Sequence, residues 1–153
     1  MIYHTHPNYM PSLDGLSEDI HRAVATLTPL YGTFDGLVAQ GLSGVIPAVP
    51  VSLALHVDLV IVRKPDDSAH ETRHINLDRV LPGTRWIFLD DFISGGATRK
   101  RCQQAICAAG GQIVGQYLCR EQEYDSLELY SGDLGPEAPG YTPALPTFSP
   151  ASF

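Results

Sequence analysis

The sequence predicts an α/β fold, a doubly wound, mostly parallel sheet flanked by helices with a small variable hood or tail. Three observations carry this. Short apolar runs recur at 34–40, 57–63, 86–89 and 112–119. Segments with helical spacing or helix-ending signals lie between them, and alternating strands and helices imply parallel pairing. Beyond Arg120 the pattern stops, and prolines stand at 136, 139, 143, 146 and 150.

Each element follows from its residues. From Ser17 to Leu30 the acids come early and Ile20, Val24 and Leu27 share one side, which predicts an amphipathic helix capped by Ser17. FDGLVAQ, 34–40, reads as a strand. Residues 44–56 read as a helix starting near Pro47, with Pro50 making its first turn irregular. VDLVIVR, 57–63, lacks polar alternation after Asp58 and reads as a buried strand. PDDSAHET is a polar loop, and HINLDRV, 74–80, reads as a short edge strand. Trp86, Ile87, Phe88 and Leu89 are aromatic or branched and followed by turn-forming residues, so they form a central strand. TRKRCQQAICAAGG is a helix closed by its Gly-Gly pair, and QIVGQYLC, 112–119, is the last clear strand.

At 153 residues the chain suits one domain, with a core at about 34–119 and a Pro-rich tail at about 121–153. In that tail Tyr124, Tyr130, Tyr141 and Phe148 could pack over the sheet, cover the active site or face a second subunit, and an extended tail laid on the surface is the favoured reading. The formal net charge of −7 argues against a nucleic-acid groove. MIYHTHPNYMPSLDG lacks the basic-then-apolar layout of a signal peptide, and no apolar run has membrane-spanning length, so a cytoplasmic protein without membrane partners is expected. Cys102, Cys107 and Cys119 are odd in number and lack metal-type spacing, which favours reduced, buried thiols. The pairs His4 with His6 and His70 with His74 have no evident further ligands in the sequence.

The stretch RWIFLDDFISGGATRKRC concentrates the chemistry. The strand ends in Asp90 and Asp91, and a loop of small residues, Ser94-Gly95-Gly96-Ala97-Thr98, then leads into a helix. Backbone N–H groups in such a loop, with a helix N-terminus behind them, form an anion site that small side chains leave accessible. Ionised carboxylates are pure acceptors, suited to vicinal hydroxyls or to waters around a cation. Phosphate on the amides and hydroxyls on the acids describe a ribose 5-phosphate. The phosphate-loop pattern GxxxxGK[ST] and the dinucleotide pattern GxGxxG are both absent.

IFLDDFISGGAT, 87–98, resembles the phosphoribosyl-pyrophosphate (PRPP) signature of the type I phosphoribosyltransferases. It departs from that signature in having Gly95 where the family usually has Thr. The resemblance covers roughly 34–119 and implies transfer of the 5-phosphoribosyl group of PRPP to a nucleobase nitrogen, with pyrophosphate leaving. It implies that Asp90 and Asp91 hold the ribose and that residues 94–98 hold the 5-phosphate. Mg2+ would be bridged through substrate and water near the two acids. The family's pyrophosphate loop falls on Gln40, Gly41, Leu42, Ser43 and Gly44, where its usual basic residue is missing. Arg63 and Lys64, a dipeptide common at that place in purine-type members, are expected to meet the pyrophosphate instead. Arg73, in the segment matching the family's mobile loop, joins Asp90 and Asp91 as a catalytic candidate. A homodimer acting on PRPP and a nucleobase is the resulting expectation. The alternative is a non-catalytic PRPP or nucleotide sensor, or an interaction module, on the same fold.

Overall fold

The computed structural model describes residues 13–64, 74–91, 96–120 and 127–130. One five-stranded sheet runs in the order β2-β1-β3-β4-β5, with β1 at Gly36–Ala39, β2 at Asp58–Ile61, β3 at Arg85–Asp90, β4 at Gln112–Leu118 and β5 at Leu127–Leu129. The first four strands pair in parallel, and β5 runs antiparallel to β4. The strand built from Trp86 to Leu89 is central, as its uninterrupted apolar run predicts. The C-terminal ends of the parallel strands therefore open on one side, where ligands of such sheets bind.

Among the described residues three α-helices cover the two faces. Helix α1 (Leu13–Leu27) and α2 (Leu42–Leu55) bury Ala23, Leu27, Ala48, Val51 and Leu55 against Leu37, Ala39, Ile87 and Leu89. Helix α3 (Ala97–Ala108) buries Cys102 and Ile106 with Val38, Val60, Trp86 and Phe88 on the other face. Side chains alternate across a strand, so neighbours such as Leu37 and Val38 feed different cores. Gly36 is the register partner of Trp86, and a Cβ there would overlap the buried indole, so only glycine lets these two strands meet. The indole Nε1 donates to Thr84 Oγ1 at 2.9 Å.

Several boundaries differ from expectation, each for a local reason. Helix α1 already includes Leu13, so Ser17 is interior rather than a cap, and residues Thr28–Leu30 form a separate 3-10 turn at Pro29. Helix α2 starts at Leu42, five residues ahead of Pro47. Gly41, at φ 78°, turns the chain, and its carbonyl accepts Val45 N–H at 2.9 Å to close the first turn. Pro47 and Pro50 are carried inside the helix, each without an N–H to give the preceding turn. Strand β2 lies at the sheet edge with Asp58 exposed and Leu59 and Ile61 half-buried, so it is not the fully buried strand its composition suggests. Of the expected strand at 74–80 there is one bridge, Ile75 to Ile61, and then a 3-10 turn at Leu77–Arg79.

Beyond Arg120, β5 departs from the favoured reading of an extended surface tail and agrees with the alternative of packing over the sheet. Tyr130 is buried in the core cluster that includes Trp86 and Phe88 rather than lying on the surface, and its hydroxyl donates to Gln116 Oε1 at 2.9 Å. Gly115 gives β5 its room, since a Cβ there would stand 2.8 Å from Glu128 O. Tyr124, Tyr141 and Phe148 lie outside the described residues. Cys102 and Cys119 are buried free thiols that burial pushes up to about 12, and Cys107 is half-buried. Among the described residues no helix is long and apolar enough to cross a membrane.

Candidate active site

The site forms where β1 and β3 end and α2 and α3 begin. Asp90 is the last residue of β3 and is buried at 7% exposure. Pairing with the β4 side runs one step past each strand: Cys119 N–H donates to Asp90 O at 2.9 Å and Arg120 N–H to Asp91 O at 2.8 Å. Both acids therefore sit on sheet-fixed backbone. Asp90 Oδ1 accepts the Asp91 N–H at 2.8 Å. Burial pushes the Asp90 carboxyl up to about 7, and hydrogen bonding with the Asp91 side chain adds to the rise. The Asp91 backbone amide and the Lys64 charge act in the opposite direction. A buried acid held near neutrality beside a second acid is a site for a cation or for hydroxyl donors.

Ser94 and Gly95 lie outside the described residues, as do Arg73, His70, His4 and His6. The remaining part of the small-residue loop is in place. Gly96, at φ 80° and ψ 4°, adopts the left-handed conformation that caps α3, and its carbonyl accepts Lys100 N–H at 3.0 Å. Ala97 and Thr98 open the helix, so their amides are among those with no acceptor inside it.

The 40–44 segment meets this half of the site directly. Gly44, in the first turn of α2, is so close to β3 that a Cβ would lie 3.1 Å from Asp90 Oδ1 and 3.3 Å from Leu89 O. Lys64 crosses over the Gly41 turn, its Nζ 3.6 Å from where a Gly41 Cβ would be. Leu42 points outward and is exposed, Ser43 is half-buried, and Gln40 is 2% exposed. Arg63 is half-buried, and its backbone N–H donates to His74 Nδ1 at 2.9 Å. His74 thus has one ring nitrogen committed to the backbone. Among the described residues no three His, Cys, Asp or Glu side chains cluster to hold a metal.

One side-chain contact beside the candidate site escaped sequence reasoning. Arg101, on α3, donates its Nε to Gln40 Oε1 at 2.8 Å, across 61 residues of sequence. The available signal was local: Arg99, Lys100 and Arg101 stand in the early turns of a helix, where the dipole disfavours cations.

No family model matches the chain. A xanthine phosphoribosyltransferase from Exiguobacterium is 30% identical over 107 residues, which cover 59% of this chain and 55% of that protein. An adenine phosphoribosyltransferase from Agathobacter rectalis is 25% identical over 144 residues, covering 78% of this chain and 82% of the relative. A crystal structure of adenine phosphoribosyltransferase from Thermoanaerobacter pseudethanolicus superposes with a TM-score of 0.58 at 22% identity, over 77% of this chain and 80% of that one. In sequence and in fold the chain is similar to the type I phosphoribosyltransferases, as the stretch 87–98 leads one to expect. It spans about half the length of the xanthine relative, 55%. The mostly parallel sheet with flanking helices matches the fold of these structures.

Proposed function

We propose that the chain transfers the 5-phosphoribosyl group of PRPP to a nucleobase nitrogen and releases pyrophosphate, in nucleotide salvage. The observation that carries this reading is the adjacency of Asp90-Asp91 and the Gly96-capped start of α3 at the open end of the sheet. The acids would take the ribose hydroxyls, and residues 94–98 the 5-phosphate. The names of the relatives, which include adenine, xanthine and orotate phosphoribosyltransferases, support the reaction class. A purine acceptor is favoured by Arg63-Lys64 at the end of β2.

The reaction needs no protein nucleophile. An oxocarbenium-like sugar is stabilised by positioning and by charge balance as pyrophosphate departs. Mg2+ fits the donor set, because the two acids are oxygen ligands held on fixed backbone and Asp90 is costly to ionise without a cation. When bound, Mg2+ would supply charge to the pyrophosphate and ribose oxygens. Asp90 and Asp91 would hold it through water, orient the sugar, and keep its hydroxyls fixed while the bond at C1 breaks.

Incubation with PRPP, Mg2+ and each of adenine, guanine, hypoxanthine, xanthine, uracil and orotate should release pyrophosphate with at least one base. A specific observation favours a second reading, a PRPP sensor: residues 39–44 contain no Arg or Lys to meet the leaving group. Saturable PRPP binding without pyrophosphate release from any base would establish that second reading.

A further inference from the structure

We infer that Arg101, arriving from α3 and locked onto Gln40, is the cation that receives the pyrophosphate end of the ligand in this chain. The inference rests on the phosphoribosyl reading above and adds to it a residue from outside the 39–44 loop.

Gln40 follows the last residue of β1 and is 2% exposed. A guanidinium can only donate, so the Gln40 side chain must turn its oxygen toward Arg101 Nε, which leaves the amide nitrogen facing away. That Nε2 is buried and has no hydrogen-bond partner among the described residues. A buried donor without an acceptor is costly, and such groups in native proteins call for an explanation. An anion supplies one. Among the described residues Arg101 makes one hydrogen bond, to Gln40 through Nε, so the terminal nitrogens of the guanidinium stay available to the same ligand.

The neighbouring cations are directed elsewhere. Arg99 Nη1 donates to Gln103 Oε1 at 3.4 Å, and its charge acts on Tyr130 over β4 and β5. Lys100 is exposed. Arg101 alone of the three reaches the end of β1, and its charge is felt at Cys102 together with that of Asp90. Placing a cation in an early turn of a helix opposes the macrodipole, and locally unfavourable choices of this kind concentrate at functional sites. Gln40 Nε2, the Arg101 fork and Lys64 over the Gly41 turn thus approach one anion position from the ends of β1, α3 and β2.

The test compares two ligands with magnesium present. Ribose 5-phosphate fills only the sugar-phosphate half, whereas PRPP fills both. By calorimetry, Arg101→Met should weaken PRPP about tenfold or more while leaving ribose 5-phosphate within about twofold. Arg99→Met should change neither. Arg101→Lys should recover part of the loss, since it keeps the charge without the fork, and the exchange Gln40→Arg with Arg101→Gln should restore the preference for PRPP. A thermal melt guards against misfolding, and any variant that is not folded is replaced by the lysine or exchange variant. Equal effects of Arg101→Met on both ligands, or none on either, would overturn the inference and leave the phosphoribosyl reading standing. Failure of the wild-type protein to bind either ligand would overturn both.

Discussion

The two halves of the site are built in opposite ways. The acid half is local: Asp90, Asp91, Gly96 and Thr98 lie within nine consecutive residues that run from the end of β3 into α3. The facing half proposed above would draw on Gln40 after β1, Lys64 after β2, and Arg101 on α3, residues that only the fold brings near one another. A contiguous motif keeps its chemistry within a fixed reach of the backbone. A dispersed one lets a cation move between elements so long as its charge arrives at the same place.

The largest expected effect breaks the acid half outright. Asp91→Asn and Asp90→Asn each keep shape while removing a charged acceptor. Each should weaken ribose 5-phosphate and PRPP alike by about tenfold or more, because hydrogen bonds to a charged group contribute roughly 1.5 to 3 kcal/mol. Titration calorimetry with both ligands checks this. Loss of PRPP binding alone would place the acids in the wrong half.

Asp90 also carries a stability cost of its own. Its folded pKa of about 7 stands above the 3.8 of a free carboxyl, so the folded state binds more protons than the unfolded state between those values. This group's contribution is therefore most favourable below about pH 4 and is lost as pH rises to about 7. In the ligand-free protein at pH 8, Asp90→Asn should raise Tm, by roughly 2–4 °C for each kcal/mol relieved. The gain should shrink toward pH 5. A Tm that falls at pH 8 would mean that Asp90 is ionised at no cost in the fold.

The same division decides what was legible in the sequence. The central strand and its acids could be read because Trp86 to Asp91 combine an unbroken apolar run with turn chemistry just after it. The parallel order followed from strand and helix alternation. The start of α2 differs from expectation because Pro47 looks like a helix beginning, while the true signal is Gly41 with its positive φ of 78°. Strand β5 was missed because LEL is too short to show a period, and its place depends on the absence of a side chain at Gly115. Arg101 could not be assigned to the site, since nothing in TRKRC specifies a partner 61 residues earlier.

A smaller perturbation probes the seam between the halves. Gly44→Ala adds a methyl group 3.1 Å from Asp90 Oδ1 and 3.3 Å from Leu89 O, both on backbone that β4 holds in place. The first turn of α2 should shift by a few tenths of an ångström away from β3. PRPP affinity should fall by roughly three- to tenfold and ribose 5-phosphate affinity by less, as in a core that is slightly overpacked. Equal losses would show that the displacement is taken up by Asp90 instead of by α2.

The weakest effect should come from Lys64. It is exposed at the end of β2, and its Nζ lies over the Gly41 turn, 3.6 Å from where a Cβ would be. Solvent screens a cation in that position, and exposed ion pairs contribute about 0.2 to 1 kcal/mol. Lys64→Met should therefore weaken PRPP by no more than about fivefold, and the difference from wild type should fade as salt is raised from 0.05 to about 0.5 M. The Arg101→Met loss should persist under the same salt, because its guanidinium is half-buried and tied to a buried Gln40. Titrations of both variants at the two salt concentrations measure the contrast directly. If both losses disappear in salt, Arg101 acts only through its long-range field, and the facing half has no fixed cation of its own.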